Sequence, residues 1–101
     1  ILGSKKNGIE VIVEDSVAKM PDRSCFAGSV ATTDRLVRNM VNLAGVSLTD
    51  AVKMASETPA RIIGSSNKGS LERGKDADII MFDENIHVTS VFVKGKEVFG
   101  E

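Results

Sequence analysis

Short β-branched apolar runs occupy both ends of the chain, and apolar residues three and four apart occupy its middle. Near the start, Ile9-Glu10-Val11-Ile12-Val13 comes close to the alternation of a strand. Glu14-Asp15-Ser16 reads as a turn and Val17-Ala18-Lys19-Met20 as a second short strand, with the turn dipeptide Asn7-Gly8 just ahead. The pattern predicts a small β-hairpin over 9–20. Pro21 to Gly28 is dense in turn residues and reads as a loop.

Across residues 29–64 the period becomes helical. Val30, Leu36, Val37, Met40, Val41, Leu43 and Ala44 fall on one helix face. Asp34 suits the positive end of that helix, and Gly45 suits a C-terminal cap. Ser47-Leu48-Thr49-Asp50 resembles a capping box with a shortened acid, ahead of Ala51, Val52, Met54 and Ala55. Thr58-Pro59 then reads as N-cap and first residue of a short third helix ending at Gly64. From Gly69 onward strands return. Ile79 to Phe82 is wholly apolar, which predicts a strand covered on both faces. Val88 to Val93 is a further strand, Lys94-Gly95-Lys96 a tight turn, and Glu97-Val98-Phe99 a last short strand. The expected class is mixed α/β, with too few strands at either end to complete a sheet. The opening Ile1-Leu2-Gly3 reads as the tail of a strand, so the expectation is a piece of a longer chain.

Composition narrows the function classes. The chain has 101 residues, enough for about one small domain with a modest core. A net charge of −1 offers no electrostatic footprint for nucleic acid or an anionic membrane. No apolar run approaches the roughly 18 residues of a spanning helix. With a single cysteine, Cys25, there is no internal disulfide, which fits a reducing cytoplasm.

Candidate chemistry is sparse. His87 is the only histidine, and it stands between Ile86 and Val88 as surface residues do. A zinc or iron centre takes three or more ligands, and one histidine and one cysteine in separate regions cannot build a histidine-rich site. Cys25 has no neighbouring base to activate it, so it reads as a buried or incidental thiol. Ser29, after Gly28, reads as a helix cap, and neither a G-x-S-x-G elbow nor a Walker loop is present. Asp76 and Asp78 would share one strand face. With Arg73 and Lys75 beside them they read as strand-entry acids rather than a catalytic pair. Phe26-Ala27-Gly28-Ser29 stays open between two readings. A glycine at a helix start admits a ligand to backbone N–H groups, or it is only a connection.

A wider pattern joins these pieces. Phe26 to Gly64, followed by Lys68 to Phe99, resembles the C-terminal part of the N-acetylglucosamine-6-phosphate deacetylase family of the amidohydrolase superfamily. Pro59-Ala60-Arg61 and Gly69-x-Leu71-x-x-Gly74-Lys75-x-Ala77-Asp78 support the superfamily. Ala27-Gly28-Ser29 with Asp34-x-x-Val37-Arg38-Asn39 is closer to the deacetylases themselves. The resemblance implies a (β/α)8 barrel with its site at the C-terminal strand ends, beside a small β-sandwich. Residues 1–64 would be the end of the barrel and residues 65–101 the C-terminal strands of the sandwich. Asp76 and Asp78 would lie at the seam, in an architectural role.

The implied reaction is hydrolysis of N-acetylglucosamine 6-phosphate to glucosamine 6-phosphate and acetate, with a divalent metal, zinc or iron, and an aspartate as proton shuttle. The resemblance implies that metal ligands and aspartate lie upstream, so no catalytic or metal residue is expected here and this stretch alone should be inactive. It assigns substrate contact to Phe26, Ala27 and Gly28. Implied partners are the sugar phosphate, the rest of the parent chain and further copies in a homo-oligomer. A dihydroorotase-like or dihydropyrimidinase-like hydrolase and a stand-alone binding module are the alternatives.

Overall fold

Two residues with positive φ at a hairpin tip let a strand reverse without opposing the natural twist of the pair. In the computed structural model, which describes residues 1–100, this happens twice: at Asp15 and Ser16 (φ 52° and 62°) and at Lys94 and Gly95 (φ 49° and 80°). The chain forms two compact units, 1–32 and 33–101, of which Glu101, the end of the expected sandwich segment, lies outside the described residues.

The first unit is a three-stranded antiparallel sheet of β1 (Ile12–Glu14), β2 (Val17–Lys19) and β3 (Phe26–Gly28), in that order. The predicted hairpin is present, but its first strand is short. Ile9 pairs with Leu2 in an isolated bridge, closed by hydrogen bonds of 2.9 Å in both directions, before the backbone turns to β2. The expected turn loses Glu14 to β1, since Glu14 pairs with Val17. The larger correction concerns 21–28. Read as loop throughout, it closes a turn and then adds β3 to the open edge of β2. Met20 N–H donates to the Cys25 carbonyl at 3.0 Å and Arg23 N–H to the Met20 carbonyl at 2.8 Å, so the dense turn residues bring Phe26 back into register. Ala18, wholly buried, is the anchor of this unit.

The second unit begins with α1 (Thr33–Asn42), α2 (Leu48–Ala55) and α3 (Glu57–Ile62). It continues into β4 (Ile79–Phe82), β5 (Val88–Val93) and β6 (Lys96–Gly100), paired antiparallel in that order. Gly45 caps α1 as expected: its φ of 68° turns the chain so that Val46 N–H reaches back 3.0 Å to the Met40 carbonyl and satisfies one of the open carbonyls of the helix end. Ser47 caps α2 as expected, accepting from Asp50 N–H at 3.2 Å. Two helix starts differ from expectation. Ser29 accepts from Ala31 N–H at 3.0 Å in a local turn, and α1 begins only at Thr33, which leaves Val30 outside the helix. Pro59 is the third residue of α3 rather than its first, with Ser56 at the cap position and its hydroxyl donated to the Val52 carbonyl at 2.6 Å. That position still tolerates proline because first-turn N–H groups have no intrahelical partner.

The core gathers Val37 of α1, Ala51 of α2 and Ile86 of the β4–β5 turn, with Met40, Val41, Val46 and Phe82 packed around them. A valine, isoleucine, methionine or phenylalanine side chain among them contributes about 1.5–3 kcal/mol when fully buried, and the Ala51 methyl less. Part of the expected apolar face is outside this core: Leu36 and Leu43 are 51% and 81% exposed. The coverage predicted for β4 is likewise absent, because Ile80 and Met81 stand half exposed. Helix and strand periods dictated which residues align, while coverage depends on what packs against them.

Candidate functional site

Phe26, Ala27 and Gly28 form β3. Its register on β2 pairs Phe26 with Lys19 and Gly28 with Ala18 and slips by one residue between them. The Phe26 ring is exposed, Ala27 is half-buried and Gly28 is exposed. A Cβ at Gly28 would stand 3.2 Å from Leu2 Cδ1, so glycine allows the 1–9 segment to close on the strand. Gly28 precedes α1 by a strand end and a turn, so the picture of a ligand approaching N–H groups at a glycine-opened helix start does not hold.

Charge beside this strand is neutralised locally. Lys19 Nζ meets Glu14 at 3.3 Å and Asp15 at 3.0 Å, and Arg23 Nε meets Glu14 at 2.8 Å. Arg23 and then Lys19 hold the Glu14 carboxyl below its ordinary range, and Asp15 and Glu14 raise Lys19. Asp22 accepts from the Ser24 hydroxyl and N–H, which lower it in the same way and stiffen the turn that carries β3.

Asp76 and Asp78 are brought together, but not by the cations expected. Both carboxylates receive Lys68 Nζ, Asp76 at 3.0 Å. Lys75 turns instead to Glu72 at 2.9 Å and to the Ser70 hydroxyl at 2.7 Å. Asp76 also accepts from Asn67 Nδ2 at 3.2 Å, and Asp78 accepts Lys94 N–H at 2.9 Å. With Gly95 N–H on the Ala77 carbonyl at 2.9 Å, the segment 76–78 clamps the β5–β6 turn. The cluster ties the entry of β4 to the β5–β6 turn. The Lys68 ammonium, followed by Lys94 N–H, holds Asp78 below its usual range; Asp78 and then Asp76 raise Lys68.

That clamp predicts a signed pH dependence. The contribution of Asp78 is present above its unfolded value of about 3.9 and is lost as pH falls through the lowered folded value. The contribution of Lys68 is present below about 10.4 and is lost as pH rises through the raised value. Urea midpoints should therefore hold level between about pH 5 and 9 and fall toward about pH 2.5. Asp78→Asn should flatten that acid limb without abolishing it, because Glu14, Asp22, Glu72 and Asp83 are lowered too. An unchanged acid limb in the variant would disprove the linkage.

His87 is a surface residue, its Nδ1 3.6 Å from Asp83 Oδ2, and Cys25 is exposed rather than buried. Among the described residues no three His, Cys, Asp or Glu side chains converge where they could hold an ion. The carboxylates of Asp76 and Asp78 share the Lys68 ammonium and those of Glu14 and Asp15 the Lys19 ammonium, so these pairs do not fit a divalent metal. Two depressions open on the second unit. One of about 170 Å³ is walled by Val41, Leu48, Phe82 and Ile86; one of about 360 Å³ between the helices is walled by Leu36, Met40, Met54 and Pro59. No helix is long and apolar enough to cross a membrane among the described residues.

Two features escaped sequence reasoning: Lys68 as the cation of the aspartate pair, and Arg38 as a bridge from α1 to the β4–β5 turn. Lys68 stands eight and ten residues from its partners, a separation without periodic meaning until the intervening loop is folded. The bridge from Arg38 spans 47 and 48 residues.

Comparison with known proteins bears directly on this fold. The amidohydrolase family model matches residues 4–98. N-acetylglucosamine-6-phosphate deacetylase of Rattus norvegicus is 33% identical over 91 residues, 89% of this chain and 22% of that protein. A putative N-acetylgalactosamine-6-phosphate deacetylase of Escherichia coli K12 is 42% identical over 72 residues, 70% of this chain and 43% of that protein. The crystal structure of the Pasteurella multocida N-acetylglucosamine-6-phosphate deacetylase superposes with a TM-score of 0.82 at 27% identity, over 89% of this chain and 24% of that one. A mutant Mycobacterium smegmatis enzyme in complex with N-acetyl-D-glucosamine-6-phosphate does so with 0.76 at 30% identity, over 91% and 25%. The chain thus spans between about a fifth and two fifths of these relatives. With nearly every residue inside the region that the family model matches, this chain belongs to the amidohydrolase family.

Proposed function

We propose that this chain is the C-terminal part of a metal-dependent deacetylase that hydrolyses N-acetylglucosamine 6-phosphate to glucosamine 6-phosphate and acetate in cytoplasmic amino-sugar catabolism. Residues 1–64 would end a (β/α)8 barrel and residues 65–101 would belong to a small β-sandwich. The rest of the parent chain would supply the side chains that hold the zinc or iron and the proton-shuttling aspartate, and the parent would act as a homo-oligomer. The observation that carries the reading is the superposition on the sugar-phosphate-bound deacetylase at 30% identity, over 91% of this chain. The exposed Leu36 of α1, the exposed Leu43 just past its end and the uncovered face of β4 support it, since a barrel wall and partner strands would bury them.

In this reading Phe26, Ala27 and Gly28 line the sugar pocket, with the exposed Phe26 ring free to pack on the apolar face of a pyranose. A second reading, N-acetylgalactosamine 6-phosphate as substrate, is favoured by the higher identity to the Escherichia coli protein. The 101-residue chain with added zinc should release no acetate from either sugar phosphate; release in proportion to added chain refutes its assignment as an inactive part. A polypeptide carrying these residues behind the metal-bearing barrel should deacetylate one epimer with higher kcat/KM. Phe26→Ala in it should raise KM roughly 5- to 30-fold, the range of a lost aromatic contact of about 1–2 kcal/mol. Hydrolysis of neither epimer overturns the substrate assignment.

A further inference from the structure

The run Asp34-x-x-Val37-Arg38 was singled out in the sequence, yet no step of sugar chemistry uses it. Its surroundings suggest another task. In the β4–β5 turn, Asp83 N–H donates to the His87 carbonyl at 3.0 Å and Ile86 N–H to the Asp83 carbonyl at 3.0 Å. The Asp83 carboxylate accepts from Asn85 and His87 N–H, both at 2.9 Å. This closure puts Ile86 at a φ of 61°, a left-handed conformation that glycine or asparagine takes readily and a β-branched residue resists. A strained residue persists only where its surroundings over-determine it.

Here the surroundings are α1. Arg38 Nη2 donates to the Ile86 carbonyl at 3.0 Å and Arg38 Nε to the Asn85 carbonyl at 3.3 Å. Asp34, one helical turn earlier, holds the same Nη2 at 3.2 Å. The guanidinium fork thus fixes two successive carbonyls on either side of the strained peptide, and the Ile86 side chain is 7% exposed in the cluster with Val37.

We propose that Asp34, Val37 and Arg38 form a latch on α1 that holds the Asp83–His87 turn in its strained conformation. Asp34 aims the guanidinium, Arg38 grips the turn backbone, and Val37 receives the isoleucine. The latch also sets one wall of the depression of about 170 Å³, to which Asn85 and Ile86 contribute. Arg38 is a positioning residue, since it acts on the turn rather than on a substrate.

Amide hydrogen exchange in the full 101-residue chain tests this, because a latch and a general stabilising contact differ in where they act. In Arg38→Met the Ile86 N–H should exchange roughly tenfold faster or more, while the Met40 and Val41 amides of α1 change less than about twofold. Equal acceleration at both places, or none at Ile86, overturns the latch. Should Arg38→Met fail to fold, Asp34→Asn leaves the guanidinium in place but unaimed. The Ile86 amide should then accelerate about threefold with α1 unchanged, and no selective acceleration overturns the proposal.

Discussion

Gly69→Ala is expected to destabilise the second unit by about 2–4 kcal/mol, the sum of a left-handed backbone penalty and an overpacked contact. Gly69 has a φ of 96°, outside what an L side chain adopts without strain. A Cβ there would stand 2.9 Å from Ala60 Cβ, 3.1 Å from Glu57 Cα and 3.3 Å from the Ser56 carbonyl oxygen. Two of those neighbours are backbone atoms, one in the first residue of α3 and one in its cap residue, and Ala60 is itself buried, so nothing flexible can give way. The substitution should lower the urea midpoint with little change in its slope. Gly74→Ala is the matched control: φ is 89° but no atom lies within 4 Å, so only the backbone penalty of about 1–2 kcal/mol should appear. Equal losses at both positions would show that the close approach to α3 contributes nothing.

Ile86 supplies the second large effect, and its sign pattern is more informative than its size. Ile86→Ala should cost about 2–4 kcal/mol, because the side chain is buried against Val37 and Ala51. At an ordinary core position glycine is worse than alanine by roughly 0.5–1 kcal/mol. At a φ of 61° that order should reverse, with Ile86→Gly no less stable than Ile86→Ala. Chemical denaturation of the two variants side by side decides it. A glycine variant clearly less stable than the alanine one would mean that the left-handed backbone stores no strain.

How far sequence reasoning reached can be traced through particular residues. β4 was legible because four consecutive apolar residues between turn signals leave few alternatives, and its bounds at Ile79 and Phe82 agree with expectation. The caps at Ser47 and Gly45 were legible because a cap is a local event within one helical turn. β3 was not, since its three residues carry too little periodicity to stand out from the turn before them; they become a strand only because β2 offers an edge. The candidate site inherits that history. Phe26, Ala27 and Gly28 could be named from a motif, but their placement on a strand rather than a loop depended on pairing.

By itself, the order of residues determined the strand–helix–strand succession, the hairpin tips and the scarcity of histidine and cysteine, because periodicity, turn chemistry and residue count are local or compositional properties. Tertiary structure alone decided which cation joins Asp76 to Asp78, how Arg38 grips a turn 47 and 48 residues away, and why an isoleucine occupies a backbone conformation suited to glycine. Those outcomes depend on the meeting of distant segments, and the free energy that selects among such meetings belongs to the folded packing rather than to any stretch of chain read alone.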